Sequence, residues 1–153
     1  MNKEEILDFM NENPDFFLAT CEGNEPRVRG MRLYQANDGG ISFNTCKDRS
    51  LHRQLMNNPS VELCFYDGDC TQVRIRGRAL LTEDPQYKEQ MCLKNPEMRP
   101  FITQGRIAIY RMTDAKVKVW EMDGDYIPRV MKNFELDSIW MAMYMGVEGN
   151  VKR

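Results

Sequence analysis

Residues 71–82 alternate apolar and polar side chains, and this pattern constrains the fold more than any other feature of the chain. One face of the segment carries Val73, Ile75, Gly77, Ala79 and Leu81, and the other carries Gln72, Arg74, Arg76 and Arg78. A period of two predicts a β-strand with one buried face, which is typical of an antiparallel sheet. The glycine in the middle indicates a bulge or a strong coil, of the kind that closes a sheet into a barrel.

The rest of the chain predicts further strands with short helices between them. Strands are predicted at residues 16–21, 26–34, 40–46, 61–66, 107–111 and 116–121, and helices at residues 2–12, 49–57 and 85–93. Residues 95–100 contain two prolines and are interpreted as a loop. Residues 136–145 fit either a helix or an edge strand that completes a partner subunit. Antiparallel strands in this number close most economically into a small barrel.

Two of these strands carry the strongest functional signal. Residues 26–34 contain Arg27, Arg29 and Arg32, and the Asn-Asp-Gly-Gly turn at residues 37–40 predicts a hairpin with residues 40–46. Three arginines within six strand residues form either a solvated charged face or an anion site. The second interpretation has a physical basis, because the guanidinium fork matches the geometry of phosphate oxygens.

Polar residues at the end of the second strand extend the candidate anion site into the next helix. They are Asn44, Thr45, Lys47, Arg49 and Ser50. The predicted N-cap of that helix is Asp48 or Ser50. A helix start offers unpaired backbone amides and a partial positive charge, both of which favour an anion. Together these residues indicate a phosphorylated ligand without identifying it.

Composition limits the classes of function. The 153 residues suffice for one domain with its own core, so residues 1–153 are predicted to form a single domain. The net charge is −2 and the pI about 5.5, so no global positive field attracts nucleic acid or anionic lipid. No apolar run is long enough for a bilayer, and residues 1–5 do not resemble a signal peptide. The chain is therefore expected in the cytoplasm.

Metal and nucleophile chemistry find little support in the sequence. The chain has one histidine, His52, and five cysteines without a CxxC pair, so no metal site is predicted. The GxSxG and HExxH motifs are absent, as are the Walker and Rossmann glycine patterns. The predicted anion site is therefore the one feature of the sequence that indicates a function.

The order of these motifs resembles the pyridoxamine 5′-phosphate oxidase-like FMN-binding split barrels. The resemblance rests on residues 27–31, residues 40–45, the polar turn with Ser50, residues 54–65 and residues 72–77. It covers about residues 3–122 and is nearest to the small bacterial members grouped with nitroimidazole-resistance reductases. It implies a mainly β (α+β) fold, a six-stranded antiparallel split β-barrel with short peripheral helices, and a C-terminal extension at residues 123–153.

The resemblance also implies a homodimer with FMN in clefts between the subunits. The implied activity is an FMN-dependent oxidoreductase that passes electrons, from NAD(P)H as donor, to a small-molecule substrate. The flavin itself carries the redox chemistry, so no side-chain acid or base is required and no catalytic residue is predicted. The cofactor-binding positions carried over are Arg27, Val28, Arg29, Gly30, Met31, Asn44, Thr45, Lys47, Arg49, Ser50 and Gln72.

Within this set, the resemblance assigns a different part of the flavin to each segment. Residues 27–31 run along the isoalloxazine ring, with Arg29 reaching the phosphate or a ring oxygen. Asn44 and Thr45 contact the flavin and its phosphate side, residues 47–50 form the phosphate-binding turn, and Gln72 contacts the ring.

Two positions depart from the vitamin-synthesising oxidases of this group. Those oxidases have a phosphate-binding lysine where this chain has Leu51, so Lys47, Arg49 or His52 is expected to substitute for it. Their C-terminal tryptophan and arginine motif for pyridoxal phosphate has no counterpart here. Vitamin B6 oxidation is therefore not expected.

Two other function classes stay open. The chain is either a non-catalytic module that binds flavin or haem, with His52 as the one available axial ligand, or a binder of single-stranded nucleic acid. The nucleic-acid hypothesis relies on Arg74, Arg76 and Arg78, which share one strand face. The acidic pI and a lack of aromatic residues on that face count against it.

Overall fold

The computed structural model describes residues 1–122 and 128–136. The helices are α1 (Lys3–Glu12), α2 (Ser50–Asn57), α3 (Pro85–Lys94) and α4 (Arg99–Thr103), with a 3-10 helix at Pro96–Met98 before α4. The strands are β1 (Asp15–Glu22), β2 (Glu25–Arg32), β3 (Gln35–Asn37), β4 (Gly40–Cys46), β5 (Ser60–Tyr66), β6 (Thr71–Arg78), β7 (Leu80–Thr82), β8 (Ile107–Met112), β9 (Ala115–Met122) and β10 (Pro128–Leu136).

These strands form two antiparallel sheets that share one apolar core. The six-stranded large sheet has the order β10-β9-β6-β5-β1-β2, and the four-stranded small sheet has the order β3-β4-β8-β7. Phe16 of the large sheet meets Phe43 of the small sheet edge to face, with 5.8 Å between ring centroids. Leu63, Ile75 and Tyr110 are fully buried in the same core. This arrangement confirms the predicted mainly β fold of the split-barrel type.

The segment with the strict alternation is two strands rather than one. Its first part is β6 in the large sheet, where Val73 and Ile75 are buried as predicted, and its last residues are β7 in the small sheet. The chain crosses between the sheets at the buried Ala79, whose amide donates to the carbonyl of Pro59 at 2.9 Å. Gly77 lies in regular pairing with β5, so no bulge occurs there. A Cβ on Gly77 would come within 2.5 Å of the Asp114 carbonyl oxygen, which explains the glycine.

The predicted hairpin between residues 26–34 and residues 40–46 is wrong. β2 pairs with β1 at the edge of the large sheet, whereas β4 pairs with β3 and β8 in the small sheet. The turn at residues 37–40 therefore joins β3 to β4, with Gly40 at a φ of 128°. The chain leaves the large sheet at Leu33, which is buried, and Tyr34 already donates its amide to Ser42.

The helices agree with the sequence in position and differ from it in two details. The N-cap of α2 is Arg49, and no side chain caps the helix, so the prediction of Asp48 or Ser50 is wrong. The predicted loop at residues 95–100 contains the 3-10 helix and the start of α4. Both prolines sit in the first turn of a helix, where the missing amide costs little.

The C-terminal prediction lies almost entirely outside the described residues. Residues 136–145 were expected to form a helix or an edge strand, and only Leu136 of them is described, as the last residue of β10. β10 pairs with β9 and forms the second edge of the large sheet.

Candidate functional site

Three arginines converge where α2 packs against the end of the β1–β2 hairpin. Arg27 and Arg29 are directly opposite Thr20 and Leu18 of β1, so they share the face of the sheet that turns toward the core. The third, Arg53, comes from α2. We refer to Arg27, Arg29 and Arg53, with Glu22 and Gln54, as the arginine cluster.

Arg29 is fixed by two buried polar residues. One terminal nitrogen, Nη1, donates to Thr20 Oγ1 at 2.7 Å, and the other, Nη2, donates to Gln54 Oε1 at 2.6 Å. The Thr20 hydroxyl also donates to Gln54 Oε1, at 2.7 Å. Thr20 and Gln54 are only 2% and 4% exposed. Burial and the neighbouring charge of Arg27 lower the pKa of Arg29 from its ordinary value. Because the ordinary pKa of arginine is far above neutral pH, the guanidinium still stays charged.

Glu22 joins the other two arginines of the cluster. Its Oε1 accepts from Arg53 Nη2 at 2.9 Å, and its Oε2 accepts from Arg27 Nε at 3.1 Å. Arg27 Nη2 also lies 2.7 Å from Glu25 Oε2. The hydrogen bond from Arg53, followed by that from Arg27, lowers the pKa of the Glu22 carboxyl from its ordinary value. The carboxyl is therefore ionised in neutral solution.

The start of α2 lies next in the chain and presents its predicted residues to solvent. Lys47, Arg49 and Ser50 are all exposed, and the backbone of Lys47 is held by a 2.9 Å hydrogen bond to Arg106. No side chain among the described residues caps α2, and the His52 amide donates to the Arg49 carbonyl at 3.1 Å, so the amides at the very start of the helix are the ones that suit a ligand.

The residue at the position of the oxidases' phosphate-binding lysine, Leu51, points into the core. Leu51 is 5% exposed and packs in the core, so this position contributes an apolar contact and no charge to the site. Of the three expected substitutes, His52 is turned toward the core, where its Nδ1 lies 2.7 Å from the Tyr110 hydroxyl. Arg53 was not predicted, although it is the α2 residue that joins Arg27 at Glu22. Its position one helical turn after Arg49 was the only sequence signal for it.

Asn44 and Thr45 lie in β4, in the small sheet rather than in the sheet that carries Arg27 and Arg29. As neighbours in β4 they point to opposite sides of the small sheet. Thr45 is buried, whereas Asn44 lines a cavity of about 280 Å³ between the small sheet and α3, together with Arg32, Tyr34 and Lys94. Lys94 covers the Tyr34 ring there, with its Nζ 5.1 Å from the ring centroid.

The remaining predicted positions are split between the two faces of the large sheet. Met31 is opposite Phe16 and packs against the core. Val28 and Gly30 point the other way, to the side we call the outer face, which also carries Gln72. Gln72 lies in β6, three strand spacings from β2, which is roughly 14 Å. Arg27 and Arg29 thus belong to the arginine cluster, residues 47–50 lie at the start of the helix that carries Arg53, and Val28, Gly30 and Gln72 lie on the outer face.

The outer face combines exposed apolar residues with a buried polar atom. Phe17 and Val28 are 56% and 70% exposed. Burial raises the pKa of the Cys64 thiol, and Nε of its cross-strand neighbour Arg74 is buried without a hydrogen-bond partner among the described residues. Such an uncovered mixed surface is typical of an interaction site.

Aromatic residues also share this face, contrary to the sequence prediction. Tyr66 and Trp120 are paired with Gln72 from either side, so their side chains lie on the same side of the sheet as Arg74. The strand alone could not show this, because the rings come from its neighbours.

The part of the chain that the structure describes bears on two other kinds of feature, a metal-binding cluster and a membrane-spanning helix. Over residues 1–122 and 128–136, no group of three or more His, Cys, Asp or Glu side chains is arranged to hold a metal ion. No helix in these ranges has the length and apolar character needed to span a bilayer.

The family model described as pyridoxamine 5′-phosphate oxidase matches residues 2–121, well over half of the chain. The chain belongs to the pyridoxamine 5′-phosphate oxidase family. The predicted family is therefore confirmed. No curated protein sequence matches the chain.

Solved structures agree with this family at the level of the fold. A NimC/NimA family protein from Clostridium acetobutylicum has a TM-score of 0.72 at 22% identity, covering 88% of this chain and 92% of its own. PhzG from Burkholderia lata, in complex with tetrahydrophenazine-1-carboxylic acid, has a TM-score of 0.69 at 16% identity, with 88% and 84% covered. General stress protein 26 from Bacillus anthracis has a TM-score of 0.63 at 18% identity, with 88% and 98% covered.

Proposed function

We propose that this member of the pyridoxamine 5′-phosphate oxidase family is an FMN-dependent oxidoreductase that acts on a small electron acceptor. The observation that carries the proposal is the arginine cluster, where Arg27, Arg29 and Arg53 meet beside a helix without a side-chain cap. Guanidinium groups and free helix amides are the donors that phosphate oxygens prefer. They suit the phosphate end of FMN.

The proposed ligand set follows the residues carried over from the family. Arg27, Arg29 and the start of α2 at residues 47–50 would hold the phosphate, and residues 28–31 with Gln72 would lie along the ring. Bound FMN would supply the electron transfer, so the chain has to bind and orient and need not provide an acid or base. This agrees with the absence of any nucleophile or metal motif in the sequence.

A second copy of the chain would complete such a site. Proteins of the family are commonly dimeric. Gln72, Val28 and Gly30 lie on the outer face, on the other side of the sheet from Arg27 and Arg29. Within one subunit the sheet lies between these outer-face residues and the two arginines. We therefore propose that the outer face borders a cleft formed with a second subunit, in which the flavin can meet residues of both kinds. The exposed Phe17 and Val28 give that face the apolar surface that a homodimer buries.

The unit that dimerises would be residues 1–153 as a single FMN-binding domain, with residues 123–153 as an extension of its core. A small planar acceptor suits the family relationship, and NAD(P)H is proposed as the electron donor. Anaerobic titration of the FMN-loaded protein with NADH and NADPH tests the donor, because flavin absorbance bleaches only if electrons are transferred.

The cofactor proposal is tested by purification without added flavin, denaturation, and assay of the supernatant for FMN. We expect one FMN per chain, or tight binding of added FMN to the colourless protein. Arg29→Ala should weaken FMN binding more than Arg76→Ala, because Arg76 is exposed on the outer face far from α2. A protein that neither carries nor binds FMN would refute the proposal, and equal losses for the two variants would refute the role of Arg29.

The alternative is a flavin-binding module without catalysis. The NAD(P)H titration separates this alternative from the oxidoreductase, because bound FMN that neither NADH nor NADPH reduces would favour the non-catalytic module. Haem binding through His52 is disfavoured, because its imidazole is hydrogen-bonded to the buried Tyr110 and packs edge to face on that ring. Nucleic-acid binding lacks the supporting net charge, although Tyr66 and Trp120 do lie beside Arg74.

A further inference from the structure

Glu22 occupies the position in the arginine cluster that an external anion would take. Its two carboxylate oxygens are divided between Arg53 of α2, at 2.9 Å, and Arg27 of β2, at 3.1 Å. The side chains of Arg27 and Arg53 are 46% and 65% exposed, so a solute can reach both from solvent. A carboxylate and a phosphate monoester present the same kind of charged oxygen to a guanidinium.

The charges around Glu22 favour a ligand with more negative charge than one carboxylate. Three arginines face two glutamates, Glu22 and Glu25, so the group retains a net positive charge. Arg29 reaches this group through Gln54, whose Nε2 lies 3.4 Å from Glu22. A phosphate monoester brings about −1.5 to −2 charges at neutral pH, against one for the carboxylate.

We propose that Glu22 is a built-in competitor for the anion site of Arg27 and Arg53, and that a phosphate monoester binds there by displacing its carboxylate. The inference rests on the proposed function, since FMN would be the ligand that brings the phosphate. Displacement costs little, because an exposed ion pair contributes little to stability. Glu22 therefore sets the affinity for the phosphate end of the flavin, and Arg53 is a further binding residue.

The competitor role predicts that removing the charge of Glu22 strengthens FMN binding. Glu22→Gln keeps the size of the side chain and removes the charge that opposes the phosphate. We expect FMN affinity to rise about tenfold at low salt, since the lost carboxylate acts on a dianion at roughly 5 Å in water. Riboflavin, which has the same ring without the phosphate, should bind the variant and the wild type equally.

Two further variants make the comparison specific. Asp15→Asn is the matched control, because Asp15 pairs with Arg32 at 2.8 Å at the opposite end of the same hairpin. It should change neither affinity. Arg53→Gln should weaken FMN binding about tenfold and leave riboflavin unaffected. Quenching of flavin fluorescence, measured with the full chain at low and high salt, gives the FMN and riboflavin dissociation constants of all four proteins.

The outcomes separate this inference from the proposed function. If wild type binds FMN and Glu22→Gln binds it no more tightly, the inference is overturned and the proposed function stands. If wild type binds neither flavin, the proposed function fails, and titration with inorganic phosphate then decides the inference. Phosphate binding that is tighter in Glu22→Gln than in wild type would support it, and phosphate binding to neither protein would overturn it.

Discussion

Gln54 is the residue on which the geometry of the arginine cluster depends, and its replacement by leucine is a direct test. Gln54 Oε1 accepts two hydrogen bonds in a buried position, one from Thr20 and one from Arg29. Gln54→Leu keeps the approximate volume and the helix propensity but leaves both donors without this acceptor. A buried group that loses its hydrogen-bond partner costs about 1–3 kcal/mol, and more when it is charged.

The expected loss in the free energy of unfolding is about 2 kcal/mol, because the apolar gain of leucine offsets part of that cost. Urea denaturation at fixed protein concentration measures it, with an unchanged m-value as the sign that the folded state is intact. Gln90→Leu is the control, since Gln90 is exposed in the middle of α3 and should change stability by less than about 0.5 kcal/mol.

A double-mutant cycle shows whether the hydrogen bonds themselves are responsible. Thr20→Val removes a donor to Gln54 and also an acceptor of Arg29, so the loss in the double variant with Gln54→Leu should differ from the sum of the single losses by about 1 kcal/mol. A Gln54→Leu protein as stable as wild type, or a strictly additive cycle, would refute the buried network as the element that holds Arg29.

Three further predictions concern the rest of the fold. Gly77→Ala should lower the unfolding free energy by about 1–3 kcal/mol in urea denaturation, because its Cβ would meet the Asp114 carbonyl, whereas Gly30→Ala, which meets nothing within 4 Å, should change it little. Burial raises the pKa of Tyr110 to about 12, above its ordinary value of 10.0, so the unfolding free energy should fall as pH rises from about 10 to 12. Tyr110→Phe should show a smaller fall, and an identical pH dependence would contradict the prediction. Phe17→Glu should convert the proposed dimer into a monomer in light scattering, while Leu80→Glu, which is similarly exposed but lies in the small sheet, should leave that dimer intact.

Periodicity in the sequence predicted which faces of the strands are buried. In β5 and β6 the residues on one face are apolar, and these residues form the core side of the large sheet. A period of two fixes the face of a strand without fixing its partner. Hence the alternation of residues 71–82 was correct as a pattern, although the chain changes sheets at Ala79 within it.

Pairing was mispredicted where a short strand intervenes. The turn at residues 37–40 does form a hairpin, but the strand before it is β3, whose three residues are too few to show any period. The longer and more conspicuous β2 was therefore taken for the partner of β4. The prolines at residues 96 and 100 misled in a similar way, because proline in the first turn of a helix and proline in a loop leave the same local signal.

The arginine cluster is brought together by the packing of α2 on β1, and no local sequence pattern predicts that contact. β2 and β4 belong to different sheets, so strand pairing cannot bring Arg29 next to the helix that follows β4. The link is α2 itself, which packs on β1 and places Gln54 against Thr20 and Arg53 against Glu22, in both cases more than thirty positions away in sequence. A change at Gln54 should therefore alter both the stability of the fold and the affinity for an anion, whereas a change at Glu22 should alter only the affinity. Gln54→Leu should lower both, because it releases Arg29 as well as destabilising the fold, whereas Glu22→Gln removes only exposed ion pairs and should change the affinity alone.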